Sequence, residues 1–571
     1  MRQRLCPSLL ITALLLSLSP VRLLAQGEAY DVVITGGKVV DGTGNPWFHG
    51  DVAIRGDRIA RIAPAGMLAS APAKERINAR GLVVAPGFID IQSHSRDAFL
   101  DGDGRVISKI TQGITTEIMG EGWTDAPANE RTLAVSRLLD DPVAGKRAQE
   151  FGGPRGFNAW LEAMHSRGVS PNIGSFVGSA TIRAYVKGLE QGPPTAAELE
   201  TMRQLVRNAM EDGAFGLATA LIYPPDNFVS TADLIELAQA MASYGGVYVT
   251  HMRSEADKFL EAIDEALRIG KEGGVPVEIY HLKAAGRRNW HKAPLAIARI
   301  NAARAEGQDV GADMYLYIAS GTSLSACLPP WAAADGKLLD NLRSPEMRER
   351  IKAEVVRQTS EWENLCELAT PEGVLLAGFR REENKPLNGL RLTEIAQQRG
   401  KDWIETAMDL ISEEENRVGG VFFMMTEENV KLQLQQLWIK FGTDAGGHDP
   451  EKATGLTHPR AYGNFPRLLG KYVREERVLT LEEAVRKASA AVASRLSIRE
   501  RGLLREGMYA DIVVFDAERI ADRATFEQPH QLSVGMQHVF VNGVPVVRDG
   551  QHTGATPGRI LRGPGYRKQG E

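Results

Sequence analysis

Between about Leu82 and Ser497, eight short apolar runs alternate with segments of helical character: LVVAPGFID, TTEIM, NIGSFV, FGLAT, VYVTH, VEIYH, VGADMY and IKFGTD. A parallel strand covered by helices reads as a nearly continuous apolar run, and crossover helices are what join such strands. Eight βα units predict a (β/α)8 TIM-type barrel in an α/β chain. In that fold the reactive groups gather just beyond the C-terminal ends of the strands. The chemistry-bearing residues fall at those places: His94 follows the first run, Glu121 the second, His251 the fifth, His281 the sixth and Tyr315 the seventh, while Asp444 ends the eighth.

The flanks read differently. From Tyr30 to Ile62 the segments DVVITGGKVVDGTG and DVAIRGDRIARI alternate as short strands, with Gly36-Gly37 and Gly56-Asp57 expected as hairpin turns. Strand patterns return in ADIVVFD (Ala510 to Asp516) and HVFVNGVPVV (His538 to Val547). The two termini are therefore expected to form one β-domain from residues 26–81 and 498–571, with the barrel of residues 82–497 inserted between them. The stretch from about 331 to 429, with segments such as SPEMRERIKAEVVRQ, is too long for a βα loop and predicts an inserted helical subdomain.

The first 25 residues read as a secretory signal peptide. Arg2 and Arg4 precede the apolar run Leu9 to Leu18, and Ala25 before Gln26 is a plausible cleavage point. That run falls short of the roughly 20 residues a membrane span needs. The expectation is an exported protein, periplasmic or secreted, with no membrane insertion after signal removal. With 571 residues, 24% of them charged, and a net charge of −5, the chain has size for a large core and no basic surface suited to nucleic acid. Outside the signal only Cys327 and Cys366 remain; a disulfide framework is excluded, and two buried free thiols are expected in preference to a single bridge.

Histidines that end neighbouring strands can converge on one Zn2+ ion through neutral imidazole nitrogens and leave a position open for water. His251 and His281 fit that arrangement, and Asp444 ends the last strand beside the water. A metal brings the pKa of bound water toward about 7 and polarises a carbonyl, while a carboxylate within hydrogen-bond reach moves the proton to the leaving nitrogen. No G-x-S-x-G elbow is present, and neither Cys327 nor Cys366 lies near a histidine-rich segment, so nucleophilic catalysis is a weak competitor.

The stretches VVAPGFIDIQSHS, QGITTEIMGE, GAFGLATALIYPP, YVTHMRSE, HLKAAG, ADMYLY, LPPWA, FGTDA, HPRAYGNFPRLLG and GATPGRILRG, in this order, resemble the amidohydrolase superfamily and within it the N-acyl-D-amino-acid deacylases, or D-aminoacylases. The resemblance implies a barrel with a β-sandwich made by both termini, zinc held by His251 and His281, and Asp444 as the general base and acid. It also implies a clamp for the carboxylate of a small-molecule substrate, with Lys283, Arg460 and one of Tyr315 and Tyr317 at the family positions. The planar fork of an arginine meets a carboxylate through two parallel hydrogen bonds.

Three positions depart from the family pattern. Gln92 stands where the first histidine of a His-x-His pair is usual, with His94 as the second; an amide is a poor zinc ligand, so one tightly held ion is expected and a second site weak or empty. His94 remains available to the water or to a weak second ion. Glu121, in Gly120-Glu121-Gly122, stands where a cysteine ligand is common, and a carboxylate is a competent zinc ligand; Glu117, inside the strand, is the poorer substitute. Ser179 takes the place of a histidine. The leading expectation is hydrolysis of a linear N-acyl-D-amino acid. Cyclic amide hydrolysis of the hydantoinase or dihydroorotase kind, a dipeptidase and a non-catalytic binding protein are the alternatives, and oligomeric state is left open.

Overall fold

The computed structural model describes residues 29–135, 142–357, 361–453 and 455–568. The expected signal peptide, residues 1–25, lies outside the described residues. No helix among those described is long and apolar enough to cross a membrane.

The two ends of the chain share a nine-stranded sheet. Its N-terminal part is Tyr30–Val39, Phe48–Arg55, Arg58–Pro64, Ala73–Asn78 and Val83–Pro86; its C-terminal part is Ile512–Phe515, Met536–Val541, Val544–Arg548 and Gln551–His552. The halves meet where Val83–Pro86 runs antiparallel to Ile512–Phe515, with Val84 opposite Val514. Val32, Ile34, Val52, Ile54, Ile512 and Val514 pack into one apolar cluster on this sheet. Gly56-Asp57 forms the expected turn between Phe48–Arg55 and Arg58–Pro64. Gly36-Gly37 does not turn the chain. It is a bulge inside a single strand, where the register shifts between Ile34 and Gly37 and Asp51 accepts the Gly36 N–H at 2.8 Å. A glycine pair supplies the positive φ that both devices need, here 70° at Gly36.

The first apolar run is divided between two sheets. Val83–Pro86 stays in the terminal sheet, and after Gly87 the chain enters the first of the parallel strands, eight of which are three residues or longer. These are β1 (Phe88–Asp90), β2 (Ile114–Met119), β3 (Asn172–Ser175), β4 (Gly216–Ala220), β5 (Val247–His251), β6 (Val277–Ile279), β7 (Val310–Met314) and β8 (Ile439–Phe441). A side chain at Gly87 would drive a Cβ to within 2.1 Å of the Thr115 hydroxyl. Strands β1 to β3 form one parallel sheet; β4 to β8, with Val177–Gly178 beyond β4, form another. Backbone hydrogen bonds run between the two sheets: Phe215 N to Ser175 O at one edge, Asp444 N to Gln92 O at the other.

The helices between strands carry their own stop signals. Ala196–Asp212 begins with a reciprocal Thr195–Glu198 capping box and ends at Gly213, which has a φ of 111°. Thr231–Ala242 begins with the same device, Ser230 with Asp233. Their apolar faces join the strands in the largest core cluster, which includes Met202, Leu205, Leu234, Leu237, Val277 and Ile279.

The inserted region is not purely helical. Ala319–Ser323, Val374–Ala377 and Gly419–Phe423 form a three-stranded antiparallel sheet, which accompanies helices such as Pro345–Val355 and Trp403–Glu413 around a separate apolar core. Cys327 and Cys366 lie in that core, both buried as expected. They are bonded to each other, with Cα atoms 5.1 Å apart, so the expectation of two free thiols is corrected.

Candidate active site and metal centre

The C-terminal ends of the parallel strands converge on one cavity of about 550 Å³, whose walls include His94, Glu121, His251, His281, Asp444 and Arg460. His251 is the last residue of β5, and His281 follows β6 by two residues, as Glu121 follows β2. Two of these residues hold left-handed backbone: φ is 33° at His281 and 49° at Asp444. For residues with a side chain this costs about 1–3 kcal/mol each, and such strain gathers at functional sites.

Glu121 is the hub. Its Oε1 lies 3.0 Å from His251 Nδ1 and 3.3 Å from His281 Nε2. Its Oε2 accepts a hydrogen bond from the side-chain amide of Gln92 and lies 3.3 Å from His94 Nε2. The same His94 nitrogen is 3.0 Å from Asp444 Oδ1. Burial pushes the Glu121 carboxyl up, but its contacts with three imidazoles outweigh it and hold the group well below the ordinary range. Asp444 is likewise held below its usual value, because Arg460 and His94 together outweigh the effect of burial. Glu117 does not reach the cavity. It is wholly buried below it, accepts from Ser95 Oγ at 2.5 Å and faces Lys109 at 3.3 Å.

Asp444 is aimed from beneath. Lys109, with no exposed surface, donates to Asp90 Oδ2 and Thr443 Oγ1 at 2.6 Å each. Asp90 in turn accepts from Thr443 N at 2.9 Å. The residue before Asp444 is thereby fixed to β1 by side chains as well as by backbone.

Arg460, Lys283 and the two tyrosines of which one was expected to join them at a substrate carboxylate separate into different environments. An Arg460 terminal nitrogen pairs with Asp444 Oδ2 at 2.7 Å, and the guanidinium lies over the Tyr315 ring at 4.4 Å. The Arg460 Nε and the Tyr315 hydroxyl are buried and have no hydrogen-bond partner among the described residues. The HPR turn orients the arginine: His458 Nδ1 accepts from Arg460 N at 3.0 Å, and His458 Nε2 lies 2.8 Å from Ala319 O in the inserted sheet. Tyr317 points elsewhere; its hydroxyl donates to Asp522 at 3.2 Å and its ring lies against Arg467. Lys283 lines the cavity, but its ammonium is engaged, donating to Glu255 Oε1 at 2.6 Å beside His281 Nδ1 at 2.7 Å.

Glu255 did not stand out in the sequence, although it lies four residues after His251. Burial raises its carboxyl, but Lys283, His251 and His281 outweigh that and hold it well below the ordinary range. Ser179 lies apart from the cavity and donates to Asp226 Oδ1 at 2.5 Å.

Donor chemistry fits a metal. Glu121, His251 and His281 each offer a ligand atom, and these atoms lie within 4.8 Å of one another; His94, Glu121 and Asp444 form a second such group. Two imidazoles and a carboxylate are a ligand set that zinc accepts.

The sequence profile of the amidohydrolase family matches residues 432–547. The D-aminoacylase of Alcaligenes xylosoxydans xylosoxydans is 34% identical over 539 residues, which cover 94% of this chain and 98% of that protein. The chain belongs to the D-aminoacylase family of amidohydrolases. Among solved structures, a D-aminoacylase with a binuclear metal centre, described by one-metal activation and second-metal attenuation, superposes with a TM-score of 0.77 at 34% identity, covering 93% of this chain and 100% of that one. The N-acyl-D-glutamate deacylase of Bordetella bronchiseptica, complexed with zinc and a phosphonate mimic of the tetrahedral intermediate, superposes with a TM-score of 0.75 at 32% identity, covering 94% and 100%. This family member is thus a hydrolase acting on carbon–nitrogen bonds other than peptide bonds, with an α/β fold of parallel sheets like theirs.

Proposed function

We propose that this amidohydrolase cleaves the amide of an N-acyl-D-amino acid, releasing a carboxylic acid and the free amino acid, in a site that holds one tight zinc ion. The observation that carries the reading is Glu121 Oε1 facing His251 Nδ1 at 3.0 Å and His281 Nε2 at 3.3 Å, with Asp444 joined to the same carboxylate through His94. Glu121, His251 and His281 are the proposed ligands. His94 belongs to the weaker second group, where Gln92 stands in place of an imidazole.

When bound, zinc supplies an acidified water and polarises the substrate carbonyl. Asp444, kept ionised by Arg460, accepts a proton from the attacking water as its oxygen bonds to the carbonyl carbon. It returns that proton to the amide nitrogen as the carbon–nitrogen bond breaks. The Arg460 Nε and the Tyr315 hydroxyl supply unpaired donors for the substrate carboxylate, and Tyr315 is the better candidate than Tyr317. Lys283 tunes that end of the cavity while paired with Glu255.

We also read the eight parallel strands as one closed barrel, supported by the hydrogen bonds between the two sheets and by the Ser93–Ala445 bridge. The terminal sheet belongs to a flanking sandwich domain that the chain leaves at Gly87. Export is the proposed location. The Cys327–Cys366 disulfide supports it, since such bonds persist in oxidising compartments.

Hydrolysis of paired D and L N-acyl amino acids by purified protein tests the function. The D substrate should turn over and the L substrate should not; equal rates, or none on either, would sink the deacylase reading.

A further inference from the structure

The active-site cavity does not end at the metal centre. Arg96, Trp123, Ile222, Tyr223 and Leu365 line it and also line a second cavity of about 1140 Å³. Arg96 belongs to the loop after β1, Trp123 to the loop after β2, Ile222 and Tyr223 to the loop after β4, and Leu365 to the inserted region. The second cavity slightly exceeds the roughly 300–1,000 Å³ that hold most small-molecule ligands. An acetyl group would leave nearly all of it unused.

The covalent structure of an N-acyl amino acid decides which of its arms leads there. Its carboxylate and side chain share one carbon, whereas the acyl substituent starts on the carbonyl carbon itself. With the carboxylate on Arg460 and Tyr315, the side chain starts beside the inserted sheet, where an Arg460 terminal nitrogen donates to Gly321 O at 3.3 Å. The acyl substituent starts at the metal centre. Trp123 stands two residues after Glu121, and the Tyr223 ring meets the His251 ring edge to face at 5.4 Å. The Tyr223 hydroxyl is engaged, donating to Thr322 Oγ1 at 2.9 Å, so what this residue offers is its ring.

The passage suits apolar matter. Of its five residues only Arg96 is charged, and it is already paired with Asp97 at 3.1 Å and Asp125 at 3.4 Å. Leu133, Phe151, Leu221 and Leu328 continue the apolar wall in the second cavity, and Arg253 of the same wall is paired with Glu265 at 3.0 Å. Hydrocarbon moved there from water gains free energy roughly in proportion to the area buried.

We propose that the second cavity receives the acyl group, and that this enzyme prefers substrates with an apolar acyl chain of several carbons over their acetyl counterparts. The inference rests on the deacylase reading above and names the acyl half of its substrate.

Hydrolysis of the N-acetyl, N-butanoyl, N-hexanoyl, N-octanoyl and N-succinyl derivatives of D-leucine, D-glutamate and D-aspartate tests it. In a series that turns over, kcat/KM should rise by about three- to fourfold per methylene, chiefly as a lower KM. Ala326 and Ala333 are half-buried and line the second cavity but not the first. Ala326→Trp and Ala333→Trp fill that space from two positions, since either alone risks misfolding, and melting curves identify the folded variants. A folded variant should lose roughly tenfold in kcat/KM on the N-octanoyl substrate while the N-acetyl substrate stays near wild type. Equal kcat/KM for acetyl and octanoyl substrates in the wild type, or an octanoyl preference that survives in a folded variant, would overturn the inference alone. So would a preference for the succinyl group, which the exposed Arg380 and Arg417 of the same wall would favour. No turnover of any of these D derivatives would overturn it together with the deacylase reading.

Discussion

The side-chain amide of Gln92 donates to Glu121 Oε2, which leaves Glu121 Oε1 to face His251 and His281. A residue that cannot serve well as a zinc ligand thereby steadies one that can. The second donor group, His94, Glu121 and Asp444, then has no imidazole at position 92 to complete it. Gln92→His should supply that imidazole. Elemental analysis after gel filtration is expected to find one zinc per wild-type chain and a second retained by the variant; two ions held by the wild type would contradict this account of Gln92.

Asp444 pairs with Arg460 on one side and meets His94 on the other, in a left-handed backbone conformation fixed from below by Thr443. An asparagine in its place would keep the shape and remove the proton acceptor. Asp444→Asn is expected to lower kcat by about 10²- to 10⁴-fold, the usual contribution of a general acid–base group, with the tight zinc retained. Steady-state kinetics together with metal content checks both halves of that statement.

Glu363 gives a pH signature. Burial and the nearby charge of Glu255 push its carboxyl up to about 7, against an ordinary value of 4.5. Between those values the folded protein holds a proton that the unfolded chain has released. This group's contribution to stability therefore falls as pH rises from 4.5 to 7 and is level above that. The loss amounts to roughly 3 kcal/mol at about 1.4 kcal/mol per unit. Glu363→Gln should remove this component, so the stability difference between variant and wild type in denaturant titrations should change across the window; a constant difference would contradict it.

The Cys327–Cys366 bond closes a loop within the inserted region. Thiol titration of the unfolded, signal-free protein should find no free thiol before reduction and two after. Replacing both cysteines by alanine is expected to cost roughly 2–4 kcal/mol of stability. Two free thiols without reductant would return the pair to the unbonded state expected from sequence.

Much of the scaffold was legible because buried parallel strands announce themselves as apolar runs, and because His251 and His281 stand directly at or after two of them. Glu121 was legible from its place after β2. Other features were hidden by the nature of their signals. Gly36-Gly37 satisfies the backbone demands of a turn and of a bulge equally, and only the partner strand decides between them. The strands Val374–Ala377 and Gly419–Phe423 are four- and five-residue apolar runs within charged helical sequence. Tyr315 and Tyr317 follow the end of β7, where alternation no longer dictates direction, so one lines the cavity and the other meets Asp522. Glu255 could not be singled out because acidic loop residues are common and its bond to Glu363 spans 108 residues of sequence.

The most direct test of the central claim is a zinc titration of metal-stripped protein with turnover of an N-acyl-D-amino acid as the readout. The account predicts no significant turnover without metal and a rise that levels at one equivalent of zinc. Full activity in the stripped protein, or a rise that levels only at two equivalents, would contradict it.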